Sequence, residues 1–126
     1  MEAMPYLQAF QGKVFVIKTG GNALSNEKLR NQLLQDLVFL SLAGIQPVLV
    51  HGGGPEISRT LKKQGITPHF VEGLRVTNKK TLQVVTQTLK NFNRTIVQEL
   101  QSIGWKATGL SGATHRLLRA TSLKIK

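Results

Sequence analysis

Two segments decide the fold: Lys13-Val14-Phe15-Val16-Ile17-Lys18-Thr19-Gly20-Gly21-Asn22-Ala23 and Gln46-Pro47-Val48-Leu49-Val50-His51-Gly52-Gly53-Gly54-Pro55-Glu56. Each is an apolar run of strand length that breaks into glycines and then opens a helical pattern. The continuous run Val14 to Ile17 predicts a strand from Lys13 to Lys18 covered on both faces, as in parallel sheets. Asn26 is placed to cap a helix running to about Ala43, with Glu27 in its first turn and Leu29, Leu33, Leu37 and Leu40 as its core stripe. Gly44 ends that helix. A second strand, Gln46 to Val50, and a second helix opening at Pro55 complete a repeated strand, loop, helix unit. In open parallel sheets ligands sit beyond the carboxyl ends of such strands, so both glycine turns are predicted to face one crevice.

Outward from this unit the pattern is simpler. Met4, Leu7 and Phe10, with Pro5 in the first turn, predict a short amphipathic helix over Glu2 to Phe10. Ile57 and Leu61 face the core of the second helix, which Gly65 ends. Pro68 to Thr77, broken by Gly73, reads as an extended excursion or hairpin at the sheet edge. A long helix follows from about Asn78 to Ile103, with Leu82, Val85, Leu89, Phe92, Ile96 and Leu100 as its stripe. After Gly104 come a predicted strand, Trp105 to Leu110, a Ser111-Gly112 turn and a last extended piece, Leu117 to Leu123. The class is α/β: a three-layer α/β/α sandwich around a mostly parallel sheet, in one domain of 126 residues.

Composition narrows the chemistry. An apolar fraction of 40% with 18% charged residues is that of an ordinary globular chain. With no cysteine there is neither a disulfide framework nor a thiolate metal site. No apolar run approaches the roughly 18 residues of a membrane span, and no signal peptide opens the chain; cytosol or a plastid stroma is the expected compartment. Seventeen Lys and Arg against six Asp and Glu give a formal charge of +11. Such a balance raises nucleic-acid binding, but the basic residues are spread along the chain without aromatic interleaving. An anionic small-molecule substrate explains the excess as well, and neither a dedicated nucleic-acid role nor a membrane role is expected.

In the first turn, Gly20 and Gly21 let backbone N–H groups approach an anion, and Lys18 at the strand end supplies a point charge suited to a transferring phosphoryl group. A tight turn beside a solvated lysine accounts for the same residues. The Gly52-Gly53-Gly54 run is sharper, because three consecutive glycines are conformationally expensive and lead into a helix N-terminus that favours a carboxylate or phosphate. His51 can serve as a base or simply pack at the strand end, and the second use is the commoner. Neither turn fits the Walker loop or the dinucleotide fingerprint. Arg75, after Gly73, can fork onto a carboxylate, with a surface salt bridge as the bland alternative. Asp36 is the only aspartate and falls mid-helix, the glutamates are scattered, and no carboxylate pair is placed to hold a metal.

Together Val16-Ile17-Lys18-Thr19-Gly20-Gly21-Asn22-Ala23, Val48-Leu49-Val50-His51-Gly52-Gly53-Gly54-Pro55-Glu56-Ile57, Gly73-Leu74-Arg75-Val76-Thr77 and Gly109-Leu110-Ser111-Gly112 resemble the amino-acid kinase family, and within it the N-acetylglutamate kinases of arginine biosynthesis. The resemblance runs from about Ala3 to Lys126 and corresponds to the N-terminal, acetylglutamate-binding lobe. It implies phosphoryl transfer from ATP, carried as its Mg²⁺ complex, to the side-chain carboxylate of N-acetyl-L-glutamate. It assigns transition-state stabilisation to Lys18, phosphate contact to Gly20 and Gly21, acetylglutamate binding to Gly53 and Gly54, and the α-carboxylate clamp to Arg75. The family's ATP-binding lobe, with a second lysine and an organising aspartate, is expected to be absent, so the isolated chain is expected to be incomplete as an enzyme. The alternative is a non-catalytic module that binds acetylglutamate or joins full-length subunits. The Met1 to Phe10 stretch is similar to the helix that assembles dimers of arginine-inhibited members into a hexameric ring; such members can also bind the nitrogen-signalling protein PII. Two departures stand out. Ala113-Thr114-His115 replaces the family's Asp-Gly turn, and Leu89 to Asn93 lacks a residue, which implies repacking of Ile96 to Leu100.

Overall fold

The computed structural model describes residues 4–114 and 117–121. The expectations that fall on Met1 to Ala3, His115 and Ser122 to Lys126 therefore lie outside the described residues. The elements in chain order are α1 (Met4–Phe10), β1 (Val14–Thr19), α2 (Gly21–Ser25), α3 (Glu27–Leu42), β2 (Gln46–His51), α4 (Gly54–Lys63), β3 (Phe70–Val71), β4 (Leu74–Arg75) and α5 (Lys79–Ser102). Two compact units divide within α5: residues 1–89 and 90–126.

In the first unit β1 and β2 pair in parallel, from Val14 opposite Gln46 to Thr19 opposite His51. The crossover between them is α2 and α3. The α/β class and the parallel pairing are as expected. Asn26 caps α3 by accepting a hydrogen bond from the Leu29 N–H at 3.1 Å, which satisfies one of the four unpaired first-turn donors. At the other end Gly44 takes φ +85°, its N–H reaching the Ser41 carbonyl and that of Ile45 the Leu40 carbonyl. An L-residue is strained in that conformation. α1 joins the sheet through Phe10, whose ring meets that of Phe15 edge-on at 5.1 Å.

The expected stripes hold in part: Leu37, Ile96 and Leu100 are buried as expected and Leu33 and Leu40 are half-buried, but the first member of each stripe is turned outward. On α3 the buried residues are Leu34 and Leu37, whereas Leu29 is exposed. Leucines occupy both sides of this helix, so a period of three and four fits more than one face. On the first half of α5, Thr81 and Val84 are buried and Leu82 is 53% exposed. Val84 joins Ile57 and Leu61 of α4 in one core cluster, with Ile66, Val85 and Leu89 packed around it.

Alternation along the strands also departs from expectation. Val14, Val16, Val48 and Val50, on one face of the parallel pair, are 46 to 68% exposed, while Phe15, Ile17 and Leu49 on the other are half-buried. The described residues cover one face only.

The excursion at Pro68 to Thr77 is a hairpin. Phe70 pairs with Arg75 and Val71 with Leu74 in antiparallel register. Its two-residue turn, Glu72-Gly73, has both residues at positive φ, 49° and 77°, the geometry that matches the twist of the flanking strands. Asn78 then caps α5, its side chain accepting from the Thr81 N–H at 2.9 Å.

In the second unit α5 buries Ile96 and Leu100 and ends before Gly104, with the Trp105 N–H on the Leu100 carbonyl at 2.9 Å. The strand expected at Trp105 to Leu110 is not formed: residues 105–110 carry no ladder. Gly109 instead lies close against Asn93 and Val97 of α5. Lys106, Ala107 and Gly109 are weak strand formers, and an extended segment becomes a strand only when a neighbour supplies the ladder. Residues 117–121 are likewise without strand.

Leu61 is fully buried, so Leu61→Ala is expected to lower the unfolding free energy by about 2–5 kcal/mol. Leu82→Ala, on the exposed side of α5, is expected to change it by less than about 0.5 kcal/mol. Urea denaturation of both variants checks the helix face; equal losses would return Leu82 to the core.

Candidate functional site

The level register of β1 and β2 sets the geometry. Lys18 lies opposite Val50 and Thr19 opposite His51, so both strands end together and both glycine turns leave the same edge of the sheet. Helices start at each turn. Gly20 is the N-cap of α2 and Gly53 the N-cap of α4, and neither makes a side-chain capping bond. Pro55 occupies the start of α4, where a missing N–H is tolerated. The sequence pattern places Gly20-Gly21 in an open loop; Gly21 instead begins α2, a five-residue helix too short to show a period.

The two turns touch. A Cβ on Gly21 would stand 2.7 Å from Pro55 Cδ and 3.3 Å from the Gly54 nitrogen. Glycine is thus required at position 21 by packing of α2 on α4. Gly20, Gly52 and Gly54 differ, because a Cβ at any of them would meet nothing within 4 Å, so their backbone is open to an approaching ligand. Gly53 between them is buried.

Lys18 is exposed at the end of β1, on the face that carries Val14 and Val16, since alternate residues of a strand share a face. His51, two residues after Leu49, belongs to the other face, and its Nδ1 lies 3.0 Å from the Gly52 carbonyl oxygen. The imidazole is tied to the adjoining backbone, in keeping with a packed histidine.

Arg75 is carried to the start of α4 by the hairpin. Its Nη2 donates to Ser58 Oγ at 2.9 Å and, more weakly, to the Gly54 carbonyl at 3.4 Å. Its Cζ sits 4.6 Å from the centre of the Phe70 ring, within cation–π range. Nη1 is buried and has no hydrogen-bond partner among the described residues. The structure therefore brings Gly53, Gly54 and Arg75 together at one helix N-terminus, with Gly21 against it and Lys18 and Gly20 at the adjoining strand end. Ser58 and Phe70 were not foreseen as part of the site. Ser58 is one helical turn beyond Gly54, and Phe70 is the cross-strand partner of Arg75, so both follow once the hairpin register is known.

Among the described residues no group of three or more His, Cys, Asp or Glu is placed to hold a metal ion. What the edge offers is backbone N–H groups, a helix N-terminus and two cations, an arrangement that receives anions.

Residues 13–124 match the model of the amino acid kinase family. The chain belongs to that family. Acetylglutamate kinase of Methanocaldococcus jannaschii is 50% identical over 121 residues, which are 95% of this chain and 40% of that protein. The acetylglutamate kinases of Thermosynechococcus vestitus and Aquifex aeolicus are 49% and 48% identical over 94% and 97% of the chain, and 41% and 42% of their own lengths. This amino acid kinase chain thus spans about two fifths of the curated relatives it matches. Among solved structures, N-acetylglutamate synthase from Neisseria gonorrhoeae complexed with coenzyme A and N-acetyl-glutamate superposes with a TM-score of 0.67 at 33% identity, covering 79% of this chain and 23% of that one.

The contact between the turns makes a direct test. Gly21→Ala is expected to destabilise the chain by about 1–3 kcal/mol, since proline and backbone atoms must give way. Gly20 has φ −73° and ψ 154°, which any residue adopts, so Gly20→Ala is expected to be near neutral. Chemical denaturation separates the two, and equal stabilities would show that α2 does not rest on α4.

Proposed function

We propose that this chain supplies the acetylglutamate-binding and part of the phosphate-binding machinery of an N-acetylglutamate kinase, which transfers the γ-phosphoryl group of ATP to the side-chain carboxylate of N-acetyl-L-glutamate in arginine biosynthesis. The observation that carries it is the buried Nη1 of Arg75, without a hydrogen-bond partner among the described residues, beside the open backbone of Gly54 at the N-terminus of α4. A buried guanidinium nitrogen without an acceptor is costly unless an anion completes it. The kinase names of relatives about half identical to the chain point to which anion.

In this assignment Arg75 clamps the α-carboxylate while Gly53 and Gly54 hold acetylglutamate through the backbone. An oxygen of the side-chain carboxylate attacks the γ-phosphorus, and the bond to the β–γ bridging oxygen breaks. Lys18 neutralises charge on the transferring group, with Gly20 and Gly21 beside it. Positioning and charge neutralisation are what such a reaction asks of a protein, and no protein nucleophile is needed. Mg²⁺ would arrive on the ATP phosphates, whose charge it screens. Assembly into a dimer or hexamer, with contact to PII, belongs to the same proposal; α1 buries none of its residues and has its surface available. Among the described residues no helix is long and apolar enough to cross a membrane, which accords with a cytosolic or stromal enzyme.

The described carboxylates include no organising pair: Asp36 lies within α3 and is exposed. The chain by itself is therefore proposed to bind acetylglutamate without sustained turnover. Incubated with ATP, Mg²⁺ and N-acetyl-L-glutamate, with hydroxylamine as a trap, it is expected to yield no continuing hydroxamate; steady formation overturns the incompleteness. At the corresponding position of a full-length relative, Lys18→Met is expected to lower kcat by about 10²–10³-fold with little change in acetylglutamate affinity. Arg75→Ala is expected to weaken that affinity at least about tenfold. A lysine variant impaired in binding alone would reverse the two roles.

A further inference from the structure

Resting on the assignment of Arg75 as the α-carboxylate clamp, we infer that Ser58 and Phe70 are positioning residues that fix the Arg75 fork before the ligand arrives. A guanidinium is planar and presents five N–H donors in a rigid array, but it rides on a long and flexible stem. Two restraints of different kind immobilise this one. Along one edge, Nη2 donates to Ser58 Oγ at 2.9 Å. Against one face, the Phe70 ring lies 4.6 Å from Cζ. An edge restraint stops rotation within the plane, and a face restraint stops tilting out of it. The donors left over are the Nε–H and those of Nη1, the latter buried and without a partner among the described residues.

The two restraints come from different elements, Ser58 from α4 and Phe70 from β3. Each is placed by something independent of the Arg75 side chain. Ser58 follows Gly54 by one turn of a helix, and Phe70 stands opposite Arg75 through the hairpin register. Neither offers a group to the carboxylate itself; both act through the arginine. Pre-organisation of this sort strengthens binding by removing the loss of side-chain freedom that a mobile arginine would undergo on contact. A purely structural clasp, pinning the hairpin to α4, would use the same contacts but would support every ligand of the site alike. The α-carboxylate is what separates the two cases.

The experiment is calorimetric or NMR titration of the 126-residue chain with N-acetyl-L-glutamate and with N-acetyl-4-aminobutyrate, which keeps the acetamide and the distal carboxylate but lacks the α-carboxylate. Ser58→Ala and Phe70→Leu are each expected to weaken N-acetyl-L-glutamate about five- to tenfold, with Ser58→Thr restoring most of the loss. Affinity for N-acetyl-4-aminobutyrate is expected to stay within about twofold in all three variants, because truncating a supporting residue has no effect on a ligand that does not make the supported contact. Equal weakening toward both ligands would make Ser58 and Phe70 structural only and overturn the inference. Wild-type affinity in Ser58→Ala and Phe70→Leu, alongside weakened binding in Arg75→Ala, would overturn it while leaving the clamp intact. Unchanged binding in Arg75→Ala, or none in the wild type, would remove the clamp and the inference together.

Discussion

Parallel pairing of β1 with β2 in level register is the constraint from which the site follows. Parallel strands need a crossover, and here α2 and α3 supply it, so both strands run the same way and deliver their carboxyl ends to one edge. A hairpin connection would have sent Lys18 and the Gly52-Gly53-Gly54 run to opposite ends. A register slip of one residue would have turned Lys18 onto the face now held by Thr19 and His51. Charge and cradle are neighbours because of hydrogen bonds between backbones, before any side chain of the site takes part.

Glycines at this edge answer to two different demands. Gly21 is small because Pro55 and the start of α4 press on it, a requirement internal to the fold. Gly52 and Gly54 have nothing near the place a Cβ would occupy, so packing does not explain them. Openness there leaves main-chain donors reachable at the positive end of a ten-residue helix. The same residue type thus joins the site to its scaffold in one turn and leaves it accessible in the other.

Local signals were legible where one residue does one job. Asn26 and Asn78 both read as starts of helices and both cap them, Gly44 and Gly104 read as stops, and the break at Gly73 marked a hairpin. Helix faces were harder to place. Leu33 and Leu34, or Leu82 and Val84, satisfy the same apolar period, and only the partner helix decides which is turned inward. α2 has five residues and so no period to find. A strand is expected at Trp105 to Leu110, yet strandhood depends on a partner that no local pattern specifies. The site divides the same way. Lys18, Gly53, Gly54 and Arg75 stand out in the sequence as candidates by type and context, whereas Ser58 and Phe70 become candidates only when the hairpin returns Arg75 to α4, a contact spanning seventeen residues of chain.

That return also explains how a basic protein can keep an arginine partly buried with no described carboxylate beside it. Burial of a cation is unfavourable unless its donors find acceptors, and the Ser58 hydroxyl, the Gly54 carbonyl and the Phe70 ring satisfy Arg75 only in part. An aspartate in place of Ser58 would neutralise the guanidinium and stabilise the free protein, but it would also compete with any incoming anion. A neutral hydroxyl orients the fork and leaves its positive charge uncompensated. In the proposed assignment, the incomplete satisfaction of Nη1 would belong to a site that exchanges its anion, with backbone and aromatic contacts holding the arginine in place between occupants.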